Sequence, residues 1–261
     1  MISRVESFRR AYVAQAAVLL AASLVAAGCA STKVIESDNF VLFEEAQRNI
    51  ANRKFLPAIE RLGEIGLITP VTPELDPDVK LALADAYFYQ RGTVDTIEAQ
   101  SRYEQFLAFY PLHEKADYAR FQIGQCLFRQ SESPWNDQEF TIRAIIYFQQ
   151  LAAETEPGST WNRAALSMVL RAGEKLAEHE FLVGRFYVKQ KKYEGAVLRF
   201  EKILEDYPNS RHREETLFEL GKAYLELDRK EQAVATLQKV VDEFPGSESA
   251  AEAGNLILGI P

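Results

Sequence analysis

The side chains able to do covalent chemistry in this sequence are few and poorly grouped. Its three histidines, His113, His179 and His212, stand far apart. His179-Glu180 opens an H-E-x-x-H pattern, in which two imidazoles one helical turn apart bind zinc and the glutamate acts as a base. Val183 occupies the second ligand position, so the pattern fails. Gly221-Lys222 is preceded by Thr216 where a phosphate-cradling G-x-x-x-x-G-K loop needs glycine, and neither G-x-G-x-x-G nor G-x-S-x-G occurs. Glu201, Glu205, Asp206, Glu214 and Glu215 read as solvated charge on helix faces. A carboxylate pair assembled only by the fold, as in a peptidoglycan-cleaving enzyme, stays open at this level, although the sequence points to no enzyme. Two cysteines make no disulfide framework and have no zinc-ligand spacing. Cys126, in Gly124-Gln125-Cys126-Leu127, reads as a buried apolar side chain of an amphipathic helix.

The other cysteine, Cys29, has the clearer chemical context. Arg4, Arg9 and Arg10 precede an uncharged, Ala-rich run over residues 11–28, the layout of a secretory signal. Gln15 and the small residues at its end set this run apart from a strongly apolar transmembrane helix. Leu24-Val25-Ala26-Ala27-Gly28-Cys29 resembles a bacterial lipoprotein signal, with Ala26 where leucine is usual. The resemblance implies cleavage after residue 28 and a diacylglycerol plus an amide-linked acyl chain on Cys29. More than one chain is what stable anchoring needs. Ala30 after the cysteine is compatible with sorting to the outer membrane. Residues 29–38 form a lipid-anchored tether whose flexible part spans roughly 15–18 Å.

The 261 residues carry 47% hydrophobic and 26% charged side chains, an ordinary globular composition. The formal net charge is −8, and removal of residues 1–28 leaves 27 basic and 37 acidic side chains. Such a chain has no general electrostatic reason to bind nucleic acid. From residue 39 onward apolar residues recur with helical period and never in strict alternation.

The last third repeats itself. Gly184 and Gly221 lie 37 residues apart, as do Tyr187 and Tyr224, Ala196 and Ala233, Phe200 and Leu237, and Pro208 and Pro245. Within each unit, Gly at position 8, Tyr at 11, Ala at 20, a large apolar residue at 24 and Pro at 32 give the spacing of the 34-residue tetratricopeptide repeat. Small residues at 8 and 20 let the two helices of a hairpin approach, and proline cannot continue the second helix. Weaker copies carry Ala58, Ala99 and Ala144, giving five repeats near 39–72, 77–113, 117–158, 177–210 and 214–247. The expected fold is an all-α tetratricopeptide superhelix. Its N-terminal array covers residues 39–158 (repeats one to three) and its C-terminal array residues 159–261. A single helix from N-cap Ser159 to about Lys189 joins them, with Gly173 a possible bend, and a short capping helix lies within Ser247–Pro261.

The run Leu176–Tyr187, followed by Tyr193, Ala196, Arg199-Phe200 and Leu204-Glu205-Asp206-Tyr207-Pro208-Asn209-Ser210, resembles the BamD family, tetratricopeptide lipoproteins of the β-barrel assembly machinery. The inserted loop of the third unit resembles that family too, with Asn136-Asp137-Gln138 where an Arg-Asp-Gln is common. The resemblance implies a non-enzymatic protein, without cofactor, lipid-anchored on the periplasmic face of the outer membrane. Its partners would be an Omp85-type (BamA-type) barrel subunit, other Bam lipoproteins where present, and unfolded outer-membrane protein substrates. Arg199, between Leu198 and Phe200, is the candidate for a bidentate pair with a partner carboxylate. An ion pair inside the array, with Glu205 or a neighbouring acid, is the other reading. Phe88 and Tyr89, flanking Tyr87, are candidates to face a peptide-binding groove. The alternative function is another periplasmic tetratricopeptide scaffold, coordinating cell-wall synthesis with envelope constriction.

Overall fold

The computed structural model describes residues 38–131 and 133–260. The signal sequence, Cys29 and the tether through residue 37 lie outside them. The described residues form helices α1 (38–51), α2 (Phe55–Glu64), α3 (Asp76–Gln90), α4 (Thr93–Phe109), α5 (Ala116–Gln130), α6 (Glu139–Glu154), α7 (Thr160–Lys189), α8 (Tyr193–Asp206), α9 (Arg213–Glu226), α10 (Lys230–Glu243) and α11 (Glu248–Leu258). No strand occurs among the described residues.

The five repeats are five helical hairpins, α1/α2, α3/α4, α5/α6, the second half of α7 with α8, and α9/α10. Their close-approach alanines, Ala58, Ala99, Ala144, Ala196 and Ala233, are all fully buried. So are the large residues four positions on in four of the five repeats, Tyr103, Phe148, Phe200 and Leu237, and Leu62 is nearly so. In the last three repeats this large residue also lies against the glycine at position 8 of its own repeat, and Phe200 packs on toward α9. A Cβ on Gly124 would stand 2.5 Å from the Phe148 ring, on Gly184 2.5 Å from Phe200, and on Gly221 2.6 Å from Leu237. Ring and glycine therefore form one steric unit, and the interhelical distance depends on both.

In repeats two, four and five the proline ends the second helix as expected, whereas α2 stops at Glu64, ahead of Pro70. Tyr110, Tyr207 and Phe244 sit just before Pro111, Pro208 and Pro245, outside helical geometry, and each N–H still donates to the carbonyl four residues back at 2.8, 2.9 and 3.0 Å. The hairpin turns are closed by a residue in the left-handed region: Arg53, Arg91, Lys191 and Asp228. At Lys191 and Asp228 the paired bonds Lys191 N–H to Val188, Lys192 N–H to Tyr187, Asp228 N–H to Leu225 and Arg229 N–H to Tyr224 complete Schellman caps.

Ser159 caps α7 by accepting from the Asn162 N–H at 3.2 Å, and the helix runs unbroken through Gly173 to Lys189. Gly173 faces the Tyr207 ring, where a Cβ would sit at an ordinary 3.5 Å. Ser247 caps α11 in the same way, and buried Ala250 and Ala253 pack α11 on Leu217, Phe218, Leu237 and Val240.

The chain forms two compact units, one through Leu112 and one from His113 onward, so the division falls a full repeat earlier than the 158/159 boundary expected from the sequence. The reason is α7. Its first half packs on α6 and its second half on α8, which welds repeat three to repeats four and five. In the N-terminal unit, Asn39 pins the loop after α2 by accepting from the Gly66 N–H at 3.3 Å and donating to the Thr69 carbonyl.

Candidate functional site

The C-terminal unit contains a buried charge cluster that the helix pattern creates. Leu176, Ala177, Phe181 and Gly184 form the buried stripe of α7, and Glu180 lies within that stripe, only 6% exposed. A lone carboxylate there would be costly, because desolvation disfavours the charged form. Two cations on α8, three residues apart, resolve it. Arg199 Nη1 donates to Glu180 Oε2 at 2.9 Å and Lys202 Nζ donates to Oε1 at 2.7 Å. Burial pushes the Glu180 carboxyl up, but the hydrogen bonds from Lys202 and Arg199 outweigh it, and the net shift is downward. The hydrogen bond to Glu180 holds the Arg199 guanidinium above its ordinary range. On the neighbouring hairpin, burial and a hydrogen bond donated to Glu201 raise the Tyr224 hydroxyl.

A carboxyl held low in the fold stabilises above the ordinary carboxylate range and loses that contribution as pH falls through it. Glu180→Gln is therefore less stable than the native chain near neutrality, and the difference shrinks as pH drops below about 4.5. Urea unfolding of both chains from about pH 6 to about pH 3 measures this. A constant difference would show that Glu180 is not the titrating group.

The cluster lies at one side of an open groove of about 600 Å³ built by α6, α7 and the end of α8. Ile142 and Ile146, one turn apart on α6, and Leu170 on α7 line it and are exposed. Glu174 ties the groove's far wall together, accepting from Ser210 Oγ at 3.0 Å and from the Arg211 N–H at 3.2 Å. An apolar trough with fixed charges at its side can bind a polypeptide segment; nothing in its geometry arranges a nucleophile against a base.

Residues 36–240 match the YfiO family, described as outer membrane lipoprotein. The chain belongs to this family. Among relatives of this YfiO-family chain, the outer membrane protein assembly factor BamD of Neisseria meningitidis serogroup A is 27% identical over 220 residues, covering 77% of this chain and 80% of that protein. The BamD of Rickettsia prowazekii is 24% identical over 207 residues with the same coverage. That of Caulobacter vibrioides is 26% identical over 217 residues, covering 81% of this chain and 69% of that protein. The YfiO match takes in the first four hairpins and most of the fifth, stopping within α10. No described helix is long and apolar enough to cross a membrane.

Set on this YfiO-family fold, the residues singled out from the sequence separate. Arg199 pairs within the array, with Glu180, an acid of the preceding helix, while its side chain stays 38% exposed. Phe88 does not face a groove. It is 6% exposed and packs edge-on to Tyr103 and Tyr89. Tyr87, the residue before it, is only half-buried, as is Tyr187 at the same position of the fourth repeat. Tyr89 lies on the surface, 43% exposed, stacked on Phe55 at 5.9 Å. Cys126 is fully buried. Sequence reasoning missed Glu180 and Lys202. The signal was an acid inside an apolar stripe, answered by two cations three residues apart on the next helix.

Proposed function

We propose that this chain is a non-enzymatic lipoprotein of the β-barrel assembly machinery, anchored on the periplasmic face of the outer membrane by acyl chains on Cys29. It binds the Omp85-type barrel subunit, further Bam lipoproteins where present, and unfolded outer-membrane proteins. The observation that carries this reading is the stacked helical hairpins with an open apolar groove along α6 and α7, in a chain whose YfiO-family match reaches into every repeat. Packed helical hairpins offer preformed binding surface, so little ordering entropy is lost on association. The lipid raises the local concentration of the array at the membrane without adding contact energy.

Depletion of the chain should lower outer-membrane β-barrel protein levels, and the detergent-extracted protein should co-purify with an Omp85-type subunit. Cys29→Ser should release it from envelopes. Unchanged barrel levels together with recovery of a peptidoglycan synthase would replace this reading with the cell-wall scaffold.

A further inference from the structure

A second cleft in the C-terminal unit, of about 640 Å³, lies between α7 and α9 and is bordered by the loop that follows α5. Leu182, Arg185, Phe186 and Lys189 line it from α7, at the spacing of a single helix face, and Lys222 and Glu219 line it from α9. Trp135 borders it from the loop. Trp135 is 62% exposed and Phe186 52%, which is unusual for side chains of that size on one cleft.

The loop is pinned. Lys175 Nζ donates to the Ser131 carbonyl at 2.9 Å and to its hydroxyl at 2.6 Å. Gln138 Nε2 donates to the carbonyls of Ser133 and Asn136 at 3.1 and 2.9 Å, and its Oε1 accepts from the buried Thr141 hydroxyl. His179 Nδ1 lies 2.5 Å from the Pro134 carbonyl. A carbonyl only accepts, so Nδ1 carries the proton. The residue after Pro134 is Trp135, and its indole is thus presented to solvent from a braced backbone. An exposed aromatic on a braced loop costs little entropy to engage, as a preorganised anchor does.

The charge of the cleft runs against that of the molecule. Of its three cations, Lys222 has Glu219 at 3.7 Å, while among the described residues Arg185 and Lys189 have no carboxylate partner. A chain of formal net charge −8 therefore carries uncompensated positive charge beside two exposed aromatic rings.

We infer that this cleft docks an acidic segment of a partner protein, one that carries aromatic or large aliphatic side chains among its carboxylates. Its carboxylates pair with Arg185 and Lys189, and its apolar side chains pack on Trp135 and Phe186. The concave shape favours a protruding segment over a flat bilayer. The inference deepens the proposed assembly role and rests on the C-terminal unit being a protein-binding module.

The probe is a short synthetic peptide in which Asp-Glu pairs alternate with Phe. It is titrated into the full-length chain in detergent. In a Trp161→Phe background Trp135 is the sole tryptophan, and its emission reports the cleft. Calorimetry on the unsubstituted chain gives the same affinity independently of that background. Saturable binding is expected, at least about tenfold weaker with Arg185→Glu/Lys189→Glu and with a peptide carrying Lys-Lys in place of Asp-Glu, and weaker as salt rises. The charge-reversed variant should keep the circular dichroism spectrum and melting temperature of the parent. Absence of binding, equal affinity for the basic peptide, or a matching emission change with anionic phosphatidylglycerol vesicles that also depends on Arg185 and Lys189 would overturn the inference. If the peptide fails while the native chain still restores barrel protein levels in depleted cells, only the cleft assignment falls and the assembly role stands.

Discussion

Gly184→Ala destabilises the C-terminal unit by about 1–3 kcal/mol, although alanine is the better helix former by about 1 kcal/mol. The new Cβ would stand 2.5 Å from Phe200 Cε1 and 2.9 Å from two further atoms of the same ring. Phe200 is fully buried among Phe181, Ala196 and the residues of α9, so the ring has no free space to retreat into. Relief must come from parting α7 and α8, which loosens packing along both helices. Gly254→Ala, in α11 of the same unit, is the matched comparison. Nothing stands within 4 Å of its Cβ position, so the helix preference acts alone and the chain gains about 0.5–1 kcal/mol. Urea unfolding of the two variants reads opposite signs from the same chemical change. Gly184→Ala as stable as the native chain would mean that α7 and α8 do not meet through this contact.

Arg199→Glu costs about 3–4 kcal/mol and lowers the melting temperature by roughly 10 °C. The substitution removes one of the two cations on Glu180 and sets a second carboxylate beside it, against a side chain only 8% exposed. The second cation, Lys202, is half-exposed and cannot neutralise two acids in that position. Adding Glu180→Gln to Arg199→Glu removes the repulsion, and most of the loss is recovered. That recovery identifies the effect as the pair itself. Thermal melts of the single and double variants check it; equal melting temperatures for both would place the damage elsewhere. A fall in partner recovery with Arg199→Glu alone therefore reports lost folding before it reports a lost contact.

The repeat was legible because its determinants are local and periodic. Ala196 and Ala233, Pro208 and Pro245, and Ser159 as a cap act through helix spacing and helix ends, which a linear pattern carries. Register was less legible. Phe88 and Tyr87 are adjacent, both aromatic and both compatible with a core position; packing of α3 on α4 buries Phe88 against Tyr103. The grouping of charges was not legible at all. Nothing near Arg199 in the chain names Glu180, 19 residues earlier, as its partner.

The sequence by itself determined the all-helical repeat, the hairpin boundaries, the long α7 and the capping helix, because apolar period, small residues and proline act within a few residues of themselves. Only the tertiary structure decided that the compact division falls at Leu112, that Arg199 pairs with Glu180, and that Trp135, Arg185, Phe186 and Lys189 line one cleft. Each of these depends on which helix faces are brought together across tens of residues, and packing of whole surfaces sets that.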